Sequence, residues 1–348
     1  MVELDGSQGE GGGQILRTAL TLSLITGRPF EITHIRANRR PPGLRPQHLA
    51  CVRGAEAISG GRSEGAHVDA DHLVFEPGAT RAGDYELDVG SAGSTPLLLQ
   101  CLFFPLALAG GGSLLLRGGT HLPHSPTYHY LSWIWAPTMA AYGLGIDLQL
   151  RYAGFYPQGG GELRAAIPPP GEPPSVVDLP ARGTLRDVHV TSFVGGLPFQ
   201  IAERQAKAAV SSLREHGING EAEKLPLPTM RSVGTTVFVR AQFENTAAGF
   251  SALGERGRRA EEVGGDAAAQ MIDFMQSAGA LDEHLADQIL IPAALLAAGR
   301  LGSGTPGETL FTTSRVTNHL TTNATVLEQF LPIRIEVSPS AEIRVRPS

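Results

Sequence analysis

Lysine is almost absent from this chain, and its scarcity excludes several kinds of chemistry. The 348 residues contain 28 lysines and arginines together, and only Lys207 and Lys224 are lysine. Neither lies in a Lys-x-Asp-Gly segment, so a nucleic-acid ligase with a lysine nucleophile is not expected. The P-loop requires Gly-Lys-Ser/Thr after a glycine loop, and no such tripeptide occurs. Any nucleotide chemistry in this protein must use other side chains.

Cysteines and long apolar runs are also scarce. Cys51 and Cys101 have no CxxC spacing and have apolar neighbours, so we expect buried free thiols in a reducing compartment. The longest apolar run, 97–109, is interrupted by Gln100 and Pro105 and is shorter than the roughly 20 residues that span a membrane. The first residues do not resemble a signal peptide. We therefore expect a cytoplasmic protein with no membrane segment.

Composition and charge indicate an ordinary globular protein. Hydrophobic residues make up 42% of the chain and charged residues 18%, which provides enough apolar material for a packed core. The length suggests two domains or one elaborated domain. A net charge of −6 argues against broad electrostatic binding of nucleic acid. It leaves room for a local arginine cluster that contacts a few phosphates.

Apolar periodicity predicts an α+β fold in which helices alternate with groups of strands. Helices are expected at about 15–25, 47–58, 95–109, 128–142, 201–216, 260–278 and 324–330. Strands or short alternating runs are expected at 30–35, 67–68, 73–75, 84–89, 114–117, 184–194, 235–243 and 309–316. Such a mixture is typical of helices packed on antiparallel or mixed sheets.

An internal repeat and an insertion are also expected. Loops at 6–14 and 90–94 each open onto an apolar helix, and 285–292 echoes them more weakly. A chance likeness between glycine-rich segments is the alternative. Pro168–Pro174 is typical of a stiff connector. We predict a large repeated domain, 1–181 and 278–348, with a small α/β domain inserted at 182–277.

The glycine loop at 9–13 is the first candidate for chemistry. Successive glycines let backbone N–H groups converge on an anion, and the N-terminus of the following helix adds partial positive charge. No clear strand precedes the loop in the sequence, which argues against a dinucleotide fold, and a plain tight turn explains the pattern equally well. Glu10 is either an exposed carboxylate or a ligand for Mg²⁺ or Mn²⁺ on a nucleotide.

Arginines crowd the stretch that follows this loop. The guanidinium group is a planar fork suited to phosphate oxygens. We expect at least two members of the group to contact phosphate: Arg17, Arg36, Arg39, Arg40 and Arg45.

One histidine stands apart from the others. His319 lies in a polar run, 317–323, between a strand-like segment and the apolar helix expected at 324–330. A neutral imidazole nitrogen can attack phosphorus and form a phosphoramidate, although a structural role explains the residue better when it is taken alone. His121, His124 and His129 crowd one loop, but their spacing does not impose the convergent geometry of a metal site.

Several motifs together are similar to those of RNA 3′-terminal phosphate cyclases. They follow the family's order along the whole chain: DGSQGEGGGQILR at 5–17, PGL and QHL at 42–44 and 47–49, GSAGS at 90–94 with Gln100, GFYP and GGG at 154–157 and 159–161, LADQ at 285–288, and the His319 segment ending in FLP at 330–332. Because these matches are long and rich in glycine, the resemblance is specific.

This resemblance implies a fold and an activity. The family's large domain repeats a unit of two helices on a four-stranded sheet, related to that of enolpyruvyl transferases, and a small α/β domain is inserted late in the chain. Its enzymes use ATP and a divalent metal, Mg²⁺ or Mn²⁺, to adenylate a histidine, with release of pyrophosphate. The AMP passes to an RNA 3′-terminal phosphate, which closes to a 2′,3′-cyclic phosphate and releases AMP. By resemblance, His319 is the nucleophile.

The resemblance also implies an ATP site. Glu10 would hold the metal on the phosphates, while Arg17, Arg39 and Gln47 would face phosphate oxygens. The nucleoside pocket would be formed by Gln100, Pro126, His284, Leu285, Ala286, Asp287 and Gln288, with Pro126 against the adenine. Many members have a tyrosine that stacks on the adenine where this chain has His284. Where members often read Gly-Gly-Thr-Asp, this chain has Gly-Gly-Thr-His at 118–121.

Two other functions remain as alternatives. A noncatalytic cyclase-like protein would bind RNA in ribosome assembly, but such relatives lack the histidine that this chain has at His319. An enolpyruvyl transferase needs several lysines around its anionic substrate, and two in the whole chain are a poor supply. The expected partners are ATP and RNA with a 3′-terminal phosphate, with no membrane; a homo-oligomer is left open.

Overall fold

The computed structural model describes residues 1–9, 11–90 and 92–348, and a similar unit occurs three times along them. The first unit is β1 (Val2–Asp5), α1 (Gln14–Thr26), β2 (Phe30–Thr33), α2 (Pro46–Ser59), β3 (Arg62–Glu64) and β4 (Leu73–Glu76). The second is β5 (Gly83–Asp88), α3 (Thr95–Leu108), β6 (Gly112–Gly118), α4 (Tyr128–Tyr130), a π-helical segment (Leu131–Trp135), α5 (Ala136–Ala140), β7 (Asp147–Tyr152) and β8 (Gly161–Ile167).

The third unit is interrupted after its first strand, β9 (Val176–Leu179). The insertion consists of β10 (Leu185–Gly195), α6 (Gln200–Glu215), β11 (Glu221–Pro226), β12 (Gly234–Phe243), β13 (Ala247–Leu253) and α7 (Ala260–Gln276). The unit then resumes with α8 (Glu283–Gln288), α9 (Leu290–Ala297), β14 (Glu308–Thr312), α10 (Asn318–Phe330), β15 (Ile333–Val337) and β16 (Glu342–Pro347).

The three units share one sheet topology. Their strand orders are β1-β2-β4-β3, β5-β6-β8-β7 and β9-β14-β16-β15. In each sheet the first two strands are parallel and the other neighbours antiparallel. A parallel pair requires a crossover, which α1, α3 and α8–α9 supply. The inserted sheet has a different order, β11-β10-β12-β13. The predicted α+β class with repeated four-stranded units is confirmed.

The helices of the three units meet in one core. Helix α1 packs against α2, α3 and α10, and α9 also contacts α10. Most residues of α3 and α9 are apolar and buried, as expected of helices in the centre of a core. The thiols of Cys51 and Cys101 are free and buried, as predicted, and the two side chains contact each other within this core. The insertion has its own apolar cluster between its sheet and α6 and α7, while the division at 182–277 itself stays a prediction.

The structure corrects several boundaries. A strand, β1, does precede the glycine loop, and the 67–68 run is not a strand; β3 lies at 62–64 instead. Helix α10 begins at Asn318, because the Thr317 hydroxyl caps it by accepting from the backbone N–H of Leu320. His319 therefore lies inside the first turn of a helix rather than ahead of it. The helix expected at 128–142 contains the π-helical segment.

Every helix in the described part of the chain is too short or too polar to cross a membrane.

Candidate active site

His319 lies where the first and third units meet. Its Nδ1 atom is 2.5 Å from Oε1 of Gln14, the first residue of α1. The two residues are 305 positions apart in sequence, and the packing of α10 against α1 brings them together. The side chain of His319 is half-buried, so the ring is held by its neighbours while part of it remains accessible to a ligand.

A chain of hydrogen bonds continues from Gln14 to the interior. Its amide nitrogen Nε2 donates to both carboxylate oxygens of Asp287, at 2.6 and 2.7 Å. The amide nitrogen of Asn323 donates to Asp287 Oδ1 at 3.0 Å and to the Asp287 carbonyl at 3.2 Å. The hydroxyl of Thr18 donates to Asn323 Oδ1 at 2.8 Å. Five side chains from α1, α8 and α10 thus form one connected network: His319, Gln14, Asp287, Asn323 and Thr18.

Charge in this network is balanced against burial. Burial raises the pKa of the Asp287 carboxyl, whereas His319, the two amide donors and Arg17 lower it. Burial has the largest effect, so the pKa of this carboxyl is raised on balance, although both of its oxygens accept from N–H donors. The Gln14 amide thus joins the Asp287 carboxyl to the His319 ring.

The remaining residues of the predicted nucleoside pocket lie around α8. Gln100 on α3 donates from Nε2 to Gln288 Oε1 at 2.8 Å, which joins the second unit to the third. Leu285 and Ala286 are buried and serve as packing, while His284 is exposed. His284 lines a cleft with Arg315 on its own side and with Phe250 and Gln270 of the insertion on the other.

The glycine loop contacts side chains from several predicted site segments. At Gly9 the backbone has a positive φ of 56°, and a β-carbon there would overlap the Thr322 hydroxyl of α10. Gly13 faces Nε2 of His48 and lies near the guanidinium of Arg17. The position of a β-carbon on Gly12 would be 3.9 Å from a guanidinium nitrogen of Arg39. The loop is therefore bordered by two of the predicted phosphate-binding arginines.

Positive charge is concentrated beside this loop. Burial first, and then Arg17, Arg36 and Arg45, lower the pKa of His48 to about 3, so the ring is neutral at physiological pH. Burial and the nearby Arg45 and Arg39 lower the pKa of Arg36. Because these neighbouring arginines repel one another, a bound anion would stabilise their charged forms.

The arginines differ in what they contact. Nη1 of Arg36 donates to the carbonyls of Pro41 and Gly43, so it holds the loop in shape. Arg45 forms an ion pair with Asp69. Arg17 and Arg39 border the glycine loop, and their phosphate-binding role stays a prediction.

A second group of predicted residues lies at the start of α3. Oε1 of Gln47 accepts from the backbone N–H of Ser94 at 3.3 Å. The Ser94 hydroxyl is 2.5 Å from that of Ser125, which donates to the carbonyl of Pro126. Gln47 and Pro126 are thus linked through two serines at the N-terminus of a helix, where backbone N–H groups favour anions.

Glu10, the predicted metal ligand, lies outside the described residues. Within 1–9, 11–90 and 92–348, no group of three or more histidine, cysteine, aspartate or glutamate side chains could hold a metal ion. The expectation that His121, His124 and His129 form no metal site stays a prediction. His121 and His129 are buried, and burial lowers the pKa of both rings, so both are neutral at physiological pH. Nε2 of His121 is hydrogen-bonded to Nδ1 of His129 at 3.1 Å. The His129 ring also stacks on Phe193 of the insertion.

Three residues of the network were not among the predicted site residues. Gln14 closes the glycine motif, Asn323 lies one turn after His319, and Thr18 lies one turn after Gln14. Their spacing was the available signal, since residues four apart share one face of a helix. The spacing identifies Thr18 and Asn323 only when it is known that Gln14 and His319 face each other, and the sequence does not show this.

Similarity to known proteins extends over nearly the whole chain. The fold and the site define a protein of repeated α+β units with a histidine where the first and third units meet. A family model described as RNA 3′-terminal phosphate cyclase matches residues 8–337. The chain therefore belongs to the RNA 3′-terminal phosphate cyclase family, as its motifs predicted.

Individual relatives carry the same name. An RNA 3′-terminal phosphate cyclase of Methylococcus capsulatus is 41% identical over 345 residues, which cover 97% of this chain and 93% of that protein. Proteins of that name from Methanopyrus kandleri and Ralstonia nicotianae are 40% and 39% identical over 100% and 99% of this chain, and the matches cover 99% and 95% of those relatives.

Proposed function

We propose that this protein uses ATP to convert an RNA 3′-terminal phosphate to a 2′,3′-cyclic phosphate through an adenylate on His319. Membership of the cyclase family supports the overall reaction. The observation that carries the histidine step is the contact between His319 and Gln14, which holds the imidazole beside an arginine-bordered glycine loop.

The proposed reaction has three displacements at phosphorus. An imidazole nitrogen of His319 attacks the α-phosphorus of ATP, an N–P bond forms, and the bond to pyrophosphate breaks. An oxygen of the RNA 3′-phosphate then attacks the same phosphorus, which breaks the N–P bond and restores the imidazole. Finally the neighbouring 2′-hydroxyl attacks the 3′-phosphorus, loses its proton and displaces AMP. Each step exchanges one bond to phosphorus for another.

The chain's own residues divide this work between binding and orientation. Arg17 and Arg39 neutralise the leaving pyrophosphate, with backbone N–H groups of the loop and of the α3 N-terminus as further donors. Gln100, Pro126 and the residues from His284 to Gln288 enclose the nucleoside. Because the net charge is −6, RNA contact is expected to be local to the cleft. A cytoplasmic location and the oligomeric state stay predictions.

A divalent ion is part of the proposal. The described side chains beside the loop are cations and amides rather than carboxylates, so they suit ATP phosphates, and those phosphates would supply most of the oxygens that Mg²⁺ or Mn²⁺ requires. Glu10 is the proposed protein ligand. The ion would supply charge neutralisation on the phosphates.

The direct test is covalent labelling. The protein is incubated with α-³²P-labelled ATP and Mg²⁺ or Mn²⁺ and then separated on denaturing gels. We expect an acid-labile, alkali-stable adenylate on the wild-type protein and on a His216→Ala control, which changes an exposed histidine of the insertion. The His319→Ala variant should carry none. Absence of label on the wild type would overturn the proposed reaction, and label on His319→Ala would overturn the assigned nucleophile.

A further inference from the structure

We infer that Gln14 is a positioning residue that fixes the tautomer of His319, and that Asp287 and Asn323 orient Gln14 for this task. The inference rests on the proposed adenylation of His319, and it deepens it by naming the residues that hold the ring for that reaction. It comes from the donors and acceptors of the network formed by Thr18, Asn323, Asp287, Gln14 and His319.

The orientation starts from the carboxylate. An ionised carboxylate only accepts hydrogen bonds, and so does a backbone carbonyl. The Asn323 amide faces the carboxylate and the carbonyl of Asp287, so its NH₂ group must point there. Its oxygen then faces the Thr18 hydroxyl, which donates to it at 2.8 Å. The amide of Asn323 has one consistent orientation.

The same reasoning fixes Gln14. Its amide is 2.6 and 2.7 Å from the two carboxylate oxygens of Asp287, so the NH₂ group faces Asp287 and Oε1 faces His319. An amide oxygen can only accept, so Nδ1 of His319 must carry the proton. In the neutral ring, Nε2 then holds the lone pair. Nε2 is therefore the nitrogen that attacks the α-phosphorus.

An amide between the carboxylate and the imidazole has a further effect. A carboxylate in direct contact with the ring would favour the imidazolium, which has no lone pair for attack. Gln14 lies between Asp287 and the ring, so the attraction between their charges acts across the amide rather than through a direct hydrogen bond. When Nε2 bonds to phosphorus, the ring keeps its Nδ1 proton and becomes positive, and Gln14 Oε1 still accepts that proton's hydrogen bond. The network thus suits both the free and the adenylated ring.

The tautomer can be measured without any activity. In ¹⁵N-labelled protein, two-dimensional long-range ¹H–¹⁵N spectra distinguish a protonated from an unprotonated ring nitrogen, and comparison with His319→Ala assigns the His319 signals. We expect an Nδ1–H, Nε2-unprotonated ring in the wild-type protein at a pH where the ring is neutral. In Gln14→Met, which keeps the length and removes the acceptor, we expect a mixture of tautomers. A wild-type ring with Nε2–H would overturn the inference.

Kinetics provide a second readout. In single turnovers with saturating ATP, Gln14→Met should slow adenylate formation by about 10–100-fold, the scale of losing a group that orients a functional histidine, with ATP affinity unchanged. Gln14→Glu restores an acceptor for the Nδ1 proton of His319, and its carboxyl would share a proton with that of Asp287. This variant should therefore recover part of the rate. Its pH–rate profile should rise at higher pH than that of the wild type, because a carboxylate favours the protonated ring.

These outcomes separate the two proposals. If the wild-type protein forms no adenylate but shows the Nδ1–H tautomer lost in Gln14→Met, the positioning role stands and the proposed function fails. If adenylate forms but Gln14→Met reacts at the wild-type rate, the positioning role fails. Weakened ATP binding without a slower adenylation step would likewise show Gln14 to be a binding residue and overturn the inference.

Discussion

The ring of His48 on α2 lies directly against Gly13, the residue before α1. A β-carbon on Gly13 would be only 2.1 Å from Nε2 of His48, so no larger residue fits there without a shift. The ring's Nδ1 atom accepts from the backbone N–H of Arg45 at 3.0 Å, so the neutral ring carries its proton on Nε2, facing the loop. His48 is buried and cannot withdraw without disturbing α2. The loop's shape is therefore set by this ring.

Gly13→Ala should consequently impair adenylation while leaving the protein folded. The added carbon overlaps His48 and comes within 3.0 Å of an Arg17 guanidinium nitrogen, and a misplacement of about 1 Å in such a loop costs about 100-fold in rate. The matched control is Gly265→Ala in α7, where a β-carbon meets nothing within 4 Å. Adenylate formation and circular dichroism measure both variants; a fully active Gly13→Ala protein would contradict the role given to the loop.

His284→Tyr should tighten ATP binding. If His284 forms a wall of the nucleoside pocket, a larger aromatic ring stacks better on adenine, and such contacts contribute about 0.5–1.5 kcal/mol. The side chain is exposed at a cleft, so a larger ring can be accommodated. Calorimetric titration with ATP, with GTP as a second nucleotide, measures the effect. Unchanged affinity for both would place the nucleoside elsewhere.

Asp282→Asn should change stability in a pH-dependent way. Burial raises the pKa of the Asp282 carboxyl; Oδ1 accepts from the Tyr130 hydroxyl and two backbone N–H groups, while Oδ2 has no partner within the described residues. The folded protein thus binds this proton more tightly than the unfolded chain, and wild-type stability falls as pH rises from about 3.8 through the raised value. Urea unfolding should show that the stability of Asp282→Asn relative to wild type increases as the pH rises through that window. If the difference in unfolding free energy between the two proteins does not change with pH, the prediction is wrong.

Acid should destabilise the fold through its buried histidines. Burial lowers the pKa of His48, His121 and His129, the first two to about 3. Because the unfolded chain takes up these protons near pH 6.5, the free energy of unfolding should fall below that pH, by up to about 1.4 kcal/mol per pH unit for each ring. His129→Phe, which keeps a ring against Phe193, should reduce that slope in urea unfolding. An unaltered slope would show that His129 does not contribute.

Arg182→Lys should destabilise the junction with the insertion. The guanidinium donates to the carbonyls of Phe274, Met275, Ser277 and Gly279 and lies 4.6 Å from the centre of the Phe274 ring. An ammonium group cannot span this set, and loss of charged hydrogen bonds should lower stability by about 1.5–3 kcal/mol. Thermal unfolding against the exposed control Arg214→Lys measures it; equal effects of the two changes would remove the special role of Arg182.

Sequence patterns predicted the long apolar elements well and the short ones poorly. Helix α3 was expected at 95–109 and lies at Thr95–Leu108, because a buried apolar run begins after the capping Ser94. Short strands were recovered unevenly: β2 and β4 were expected at 30–35 and 73–75, whereas the equally short β1 and β3 were missed, because so few residues show little periodicity. The start of α10 was missed because the residues of its first turn, Asn318 and His319, are polar and give no apolar periodicity.

The site was predictable only in its parts. The glycine loop, Arg17 and His319 could be found because each belongs to a recognisable local motif. The bridge from His319 through Gln14 to Asp287 could not, since it joins three helices from distant parts of the chain and depends on how the repeated units pack. Nothing local distinguishes Gln14 from an exposed polar residue at a helix N-terminus.

The separation of Gln14 and His319 by 305 positions also has a consequence for biosynthesis. The ribosome makes the glycine loop first and His319, the proposed nucleophile, near the end, with the whole insertion between them. A nascent or truncated chain that stops before α10 therefore has the loop and its arginines but no histidine to react. Under the proposed mechanism, such an incomplete product would not be adenylated at this site or consume ATP there, so reactivity would report that translation has passed α10.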